Sequence, residues 1–207
     1  QAWGRALPGF TVQVRGDVPI ARGLGSSSTI LLGVAAACQQ FAGRTFDRHE
    51  LIELAAEVEG HPDNVAATCL GGFTMVGRVG GRLRTARFAI PASLTATVTI
   101  PPYEVKTSAA RAILPPTVSR TEHVTGLQRT ALIVAALASG DPEALRGLFD
   151  EAWHEGHRAT LNPELAAIRQ TAEAAGALGT ILSGSGSTVV SFTTSRMSTT
   201  STSSSTV

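Results

Sequence analysis

Apolar side chains recur along this chain at two spacings, which divide it into strands and helices. Val12 and Val14 alternate with polar neighbours over residues 11–15, the period of two expected of a strand. Gly23-Leu24-Gly25-Ser26-Ser27-Ser28 then opens an apolar helical run that reaches about Ala42, with Gly43 as its stop. Leu51, Leu54, Ala55 and Val58 follow at i, i+3, i+4 and i+7, so a second helix ends near Glu59-Gly60. Asp47, with Glu50 three residues on, has the form of a capping box at its start. Gly71-Gly72 precedes a strand over residues 73–76, and residues 77–81 read as a turn.

Leu94, Ala96, Val98 and Ile100 alternate with threonines, predicting a strand that Pro101-Pro102 ends. A helix over about 122–139 stops at Gly140. Asp141-Pro142-Glu143 and Asn162-Pro163-Glu164 each put a capping side chain before a proline at the first helical position. The last strands, 180–182 and 188–192, flank a Ser183-Gly184-Ser185-Gly186-Ser187 loop. There is no internal repeat. A boundary near Pro91 divides the chain into two α+β units, 1–91 and 92–192. From 193 to 206 only Arg196 and Met197 are not Ser or Thr, a composition with nothing to bury and expected to be disordered.

The 207 residues, 43% hydrophobic and 16% charged, are enough for a sizeable core. A formal net charge of +1 points to neither nucleic acid nor a membrane surface as partner. Cys38 and Cys69 have no metal-ligand spacing and read as reduced thiols of a cytosolic protein. Lys106 is the one lysine, so the Gly-Lys-Ser/Thr ending of a P-loop does not exist here.

Two stretches carry candidate chemistry. In Pro19-Ile20-Ala21-Arg22-Gly23-Leu24-Gly25-Ser26-Ser27-Ser28-Thr29, glycines permit close backbone approach to an anion, and N–H groups point outward where the helix begins. The serine hydroxyls can cap the helix, contact phosphate or ligate magnesium. An ordinary capped turn is the plain alternative; the upstream proline and triple serine favour phosphate. In Glu57-Val58-Glu59-Gly60-His61-Pro62-Asp63-Asn64, carboxylates, an imidazole and an amide meet at a helix end. Such groups can hold an ammonium, bind magnesium or take a hydroxyl proton, although a solvated helix end has the same composition.

The first stretch resembles the second motif of the GHMP small-molecule kinases, with Ser28 where alanine is usual. The second, followed by Leu70-Gly71-Gly72, is similar to the homoserine kinase branch, and lacks the Pro-Ser-Gly-x-Asp form of mevalonate kinases. Thr107 to Pro115, the His157-Arg158 pair and Ser183-Gly184-Ser185-Gly186-Ser187-Thr188 resemble further segments of that branch, in family order. The resemblance implies an α+β fold, with a ribosomal S5-like N-terminal part and a ferredoxin-like C-terminal part. It is expected to be incomplete, because the first family motif is missing and the serine/threonine tract replaces later elements.

The resemblance also implies an activity, phosphorylation of the L-homoserine hydroxyl by ATP with Mg2+ in threonine biosynthesis. Residues 19–29 would wrap the ATP phosphates. Ser27 with Glu57 would ligate magnesium, with Glu53 and Glu59 close enough to compete. Asp63, with His61 and Asn64 beside it, would hold the substrate, and whether Asp63 acts as a base is open. Arg111 and Arg158 would clamp the substrate carboxylate, Thr107 would add a hydrogen bond, and Gly184 and Gly186 would shape the floor. On this reading Arg158 serves the alcohol alone and leaves ATP affinity untouched. A kinase of another alcohol and a non-catalytic remnant are the other readings, and homodimer formation is left open. His154-Glu155-Gly156-His157 is one residue short of a zinc motif and is read as structural, as are His49 and His123; Arg78, Arg82, Arg84 and Arg87 are read as a solvated hairpin.

Overall fold

Gly25 ends the glycine loop in a left-handed conformation, and α1 (Ser26–Phe41) begins directly after it. The computed structural model describes residues 9, 11–151 and 153–194; the beginning of the chain and the tract from 195 onward lie outside them. Asp47 caps α2 (Arg48–Glu59), its carboxylate accepting the N–H groups of His49 and Glu50. The expected reciprocal half of the box is replaced. The Asp47 N–H goes to Gln39 at 3.4 Å, and the Glu50 carboxylate takes Gln39 and Arg44 at 2.7 and 2.9 Å, tying α2 back onto α1. Gly60 closes α2, and α3 (Asp63–Leu70) starts three residues later.

Two strands follow, β1 (Phe73–Val79) and β2 (Arg82–Phe88), paired antiparallel with Val79 opposite Arg82. The strand expected to end at 76 thus runs three residues further. Ladder pairing extends it to a two-residue Gly80-Gly81 turn, the tight connection hairpins favour. The arginine-rich segment is the hairpin it was expected to be. Leu32, Leu51, Ile52, Ala55, Val65 and Ala66 bury one face of α1–α3 together, with Val76 and Leu83 of the hairpin packed against them.

The second unit is a three-stranded antiparallel sheet in the order β3-β5-β4, from β3 (Leu94–Thr99), β4 (Gly179–Leu182) and β5 (Val189–Thr194). β5 runs two residues into the serine/threonine stretch, where Thr193 and Thr194 pair with Thr95 and Leu94. Between β3 and β4 lie α4 (Thr107–Ala112), α5 (Arg120–Ser139), α6 (His154–Arg158) and α7 (Leu165–Ala174). A capping box of Ser119 and Glu122, not anticipated from the sequence, starts α5. Ala136, Leu137, Leu145 and Leu178 form this unit's core, with Leu94, Phe149 and Phe192 against it.

Two expectations, the strand over residues 11–15 and the Asn162 cap, fail for physical reasons. Residues 11–15 are not a strand: no described neighbour takes their ladder hydrogen bonds, and Val12 and Val14 are exposed. The alternation in β3 does predict a strand, but only Leu94 reaches the core; Val98 remains 47% exposed. Asn162 does not cap α7. Its amide donates back to the Arg158 carbonyl at 2.8 Å, and the helix starts at Leu165 without a side-chain cap.

Candidate functional site

A cavity of about 1100 Å³ opens between the two units, large enough for two small molecules side by side. One end of it is made largely of backbone. The Thr29 N–H is bonded to the Gly25 carbonyl at 3.0 Å, which leaves the preceding N–H groups of α1 without helical partners, as at any helix start. Ile20, Ala21, Gly23, Gly25 and Ser26 to Ser28 line the cavity, whereas Pro19, Arg22, Leu24 and Thr29, expected with them, do not. Ala21 takes a left-handed φ of 55°, the kind of strain that clusters at ligand sites.

The glycine loop is not free-standing. The Ser183 hydroxyl donates to the Gly23 carbonyl (2.8 Å), Thr188 N–H to the Arg22 carbonyl (3.1 Å), and Val105 N–H to the Ala21 carbonyl (3.2 Å). Gly23 must be glycine for a steric reason: a Cβ there would lie 2.0 Å from the Ser183 carbonyl oxygen. Gly184 lines the cavity, but Gly186, expected beside it, packs against Asn162 instead, where a Cβ would lie 2.1 Å from Oδ1.

The other end carries the charge. Glu59, His61 and Asp63 form a polar chain from the end of α2 to the start of α3. The Ser27 hydroxyl donates to Glu59 Oε2 at 2.9 Å; His61 lies 4.0 Å from Glu59 and 2.5 Å from Asp63. Glu57, the expected partner of Ser27, is on the exposed side of α2 and does not line the cavity. A helix turns about 100° per residue, so positions 57 and 59 face nearly opposite ways. Glu53 accepts the Leu83 N–H at 3.0 Å and so belongs to the hairpin.

Burial would raise the Asp63 carboxyl, but the Asn64 N–H, the His61 ring and the charge of Arg111 outweigh it and hold Asp63 below the usual carboxylate value. Thr107, Arg111 and Arg158 also line the cavity, with Asn64 beside Asp63. Burial first, then the like charge of Arg111, lowers Arg158 from the ordinary guanidinium value against the pull of Glu151 and Asp63. Arg158 does more than face the cavity. Its Nε donates to the Ala110 carbonyl at 3.2 Å and its Nη1 to the Gly184 carbonyl at 2.8 Å.

Sequence reasoning missed Lys106, Ser108, Glu151, Trp153, His154 and Glu155, all of which line the cavity. Glu151 accepts the N–H groups of Trp153, His154 and Glu155. Burial would raise it, but the His154 ring and those three N–H groups bring it down to about 2. An acidic residue three before a helical histidine was the available signal. Glu155 is buried, accepting from Leu182 N–H at 2.5 Å and from Arg169, which also holds the Thr180 carbonyl. No local pattern announces that pair, because its partners come from α7 and β4.

A helix start dressed with glycines thus faces a charged end across one cleft between two α+β units. The GHMP kinases N terminal domain matches residues 1–72 and the GHMP kinases C terminal matches residues 133–199, and the chain belongs to this family. Within the family the similarity is to homoserine kinases. The homoserine kinase of Deinococcus radiodurans is 41% identical over 196 residues, covering 95% of this chain and 64% of its own length. That of Moorella thermoacetica is 35% identical over 189 residues, covering 91% and 64%. The crystal structure of homoserine kinase from Cytophaga hutchinsonii matches with a TM-score of 0.79 at 32% identity, covering 87% of this chain and 59% of that one. The chain thus spans about 64% of the length of those two curated relatives.

Proposed function

We propose that the site transfers the γ-phosphoryl group of ATP to the side-chain hydroxyl of L-homoserine. The observation that carries this reading is the division of one cleft into a backbone end suited to phosphates and a charged end suited to a zwitterion. The N-terminus of the 16-residue α1 offers N–H groups without helical partners, and a favourable dipole, to the triphosphate. Arg111 and Arg158 supply planar donors for an amino-acid carboxylate, and the ionised Asp63 is an acceptor for an ammonium or hydroxyl. The similarity to homoserine kinases favours this substrate over other alcohols.

The residues present fit a magnesium ion. The Ser27 hydroxyl and Glu59 carboxylate are 2.9 Å apart in the cleft, an oxygen pair of the kind that ion takes, with phosphate and water completing the shell. Glu59 rather than Glu57 would hold it with Ser27. When bound, the ion would neutralise charge on the phosphates. The protein's own part is positioning: the glycine loop orients the donor, and Asp63, steadied by His61, orients the acceptor hydroxyl. Asp63 is held ionised and accepts the hydroxyl hydrogen in a hydrogen bond, so it need not become a strong base.

An ADP-release assay with MgATP on this chain tests the reading. Turnover with L-homoserine and none with mevalonate is the expected result. Equal or reversed preference, or no ADP release with either, would overturn it.

A further inference from the structure

Arg158 stands where three elements meet. Its Nε holds the Ala110 carbonyl of α4, and its Nη1 holds the Gly184 carbonyl of the loop between β4 and β5. That loop in turn holds the glycine loop, through the Ser183 hydroxyl on the Gly23 carbonyl and the Thr188 N–H on the Arg22 carbonyl. The path therefore runs from α4, which carries Thr107 and Arg111, through one guanidinium to the backbone that starts α1. Val105, one residue before the cap of α4, closes the same circuit by donating to the Ala21 carbonyl. We infer that Arg158 is a positioning residue that sets the glycine loop against α4, so that it governs nucleotide binding as well as the alcohol. This rests on the nucleotide reading given above and departs from a simple carboxylate clamp, which would leave ATP affinity unchanged.

The chemistry of the residue is suited to the task. A guanidinium presents donors in a rigid plane and can hold two carbonyls in fixed relation while an edge remains for a ligand. A lysine at 158 keeps the charge but offers a single flexible head. Gly184 has a positive φ of 55° and a Cβ there would lie 3.5 Å from the Gly23 carbonyl oxygen, so the loop lies directly against the glycine loop. A small displacement of Gly184 is therefore passed on.

Amide hydrogen exchange and MgATP calorimetry on the full 207-residue chain read the two halves separately. Arg158→Lys should raise exchange at the Thr188 and Val105 amides and weaken MgATP binding about tenfold, the loss of one charge-assisted hydrogen bond. Arg146→Lys, the same charge-conserving substitution at an arginine outside the cleft that also holds a backbone carbonyl, should move neither. Ser183→Ala, which cuts the next link, should also weaken MgATP, and the double variant Arg158→Lys/Ser183→Ala should lose less than the product of the two. Unchanged Thr188 exchange and unchanged MgATP affinity in Arg158→Lys would overturn the inference while leaving the nucleotide reading intact. No MgATP binding by the unsubstituted chain would overturn the nucleotide reading by itself, and the exchange shift would then still support the brace.

Discussion

The two ends of the cleft are built from different materials. At the glycine loop the working groups are backbone N–H and C=O, and the side chains there are small or absent. At the far end they are charged side chains, Glu59, His61, Asp63, Arg111, Glu151 and Arg158, mounted on four different helices or their approaches. The first arrangement is rigid because backbone packs against backbone: Gly23 meets the Ser183 carbonyl with no room for a Cβ. The second is held by electrostatics, with Asp63, Glu151 and Arg158 each shifted by burial and by their neighbours. The lesson is that volume should control one end and charge the other.

The largest expected effect tests the first half of that contrast. Gly23→Ala places a methyl 2.0 Å from a carbonyl oxygen at a φ of 76°, and should cost about 3 kcal/mol or more by urea denaturation. Gly25→Ala, also at positive φ (74°) but with its nearest atom at 3.4 Å, should cost only about 1 kcal/mol. Equal costs at the two positions would break the idea that loop-on-loop contact sets the sensitivity.

At the charged end, Glu151→Gln should cost roughly 1–2 kcal/mol at neutral pH, because the carboxylate serves three N–H groups but is partly exposed and screened. The folded-state value of about 2 lies below the ordinary 4.5, so the stabilisation is present above 4.5 and fades as pH falls toward 2. The stability difference between the two proteins should therefore shrink over that window. A difference that stays constant from pH 5 to pH 2 would assign the effect to shape rather than charge.

The smallest effect has the opposite sign. Ser28 is 1% exposed and its hydroxyl has no hydrogen-bond partner among the described residues, an unsatisfied group buried at the rigid end. Ser28→Ala should raise stability by about 1 kcal/mol, read as an increase in Tm. A loss of stability would show that the hydroxyl is held, and that the glycine-loop end depends on side-chain polarity after all.

Local patterns sufficed for most elements and for one end of the cleft. α1 and its glycine loop, α2 with its Asp47 cap, the arginine-rich hairpin and the strand that becomes β3 follow from periodicity, capping and turn chemistry that neighbours in sequence supply. The glycine loop was legible as an element because its proline, glycines and serines are contiguous residues. The segment from Gly60 to Asn64 was legible for the same reason.

What tertiary structure alone decided is which side chains face each other. Whether Glu57 or Glu59 meets Ser27 depends on the angle at which α2 crosses α1, since both carboxylates lie within one turn of the helix end. Whether residues 11–15 become a strand depends on a neighbour to bond with, which alternation cannot supply. Glu155 and Arg169, or Arg158 with the Ala110 and Gly184 carbonyls, join positions 14 to 48 residues apart. By itself the sequence determined the periodicities, the caps and the two contiguous motifs, because those are set by nearest neighbours. The pairing of charges and the bracing of the glycine loop came only from packing, because hydrogen bonds between distant segments depend on positions that no local pattern encodes.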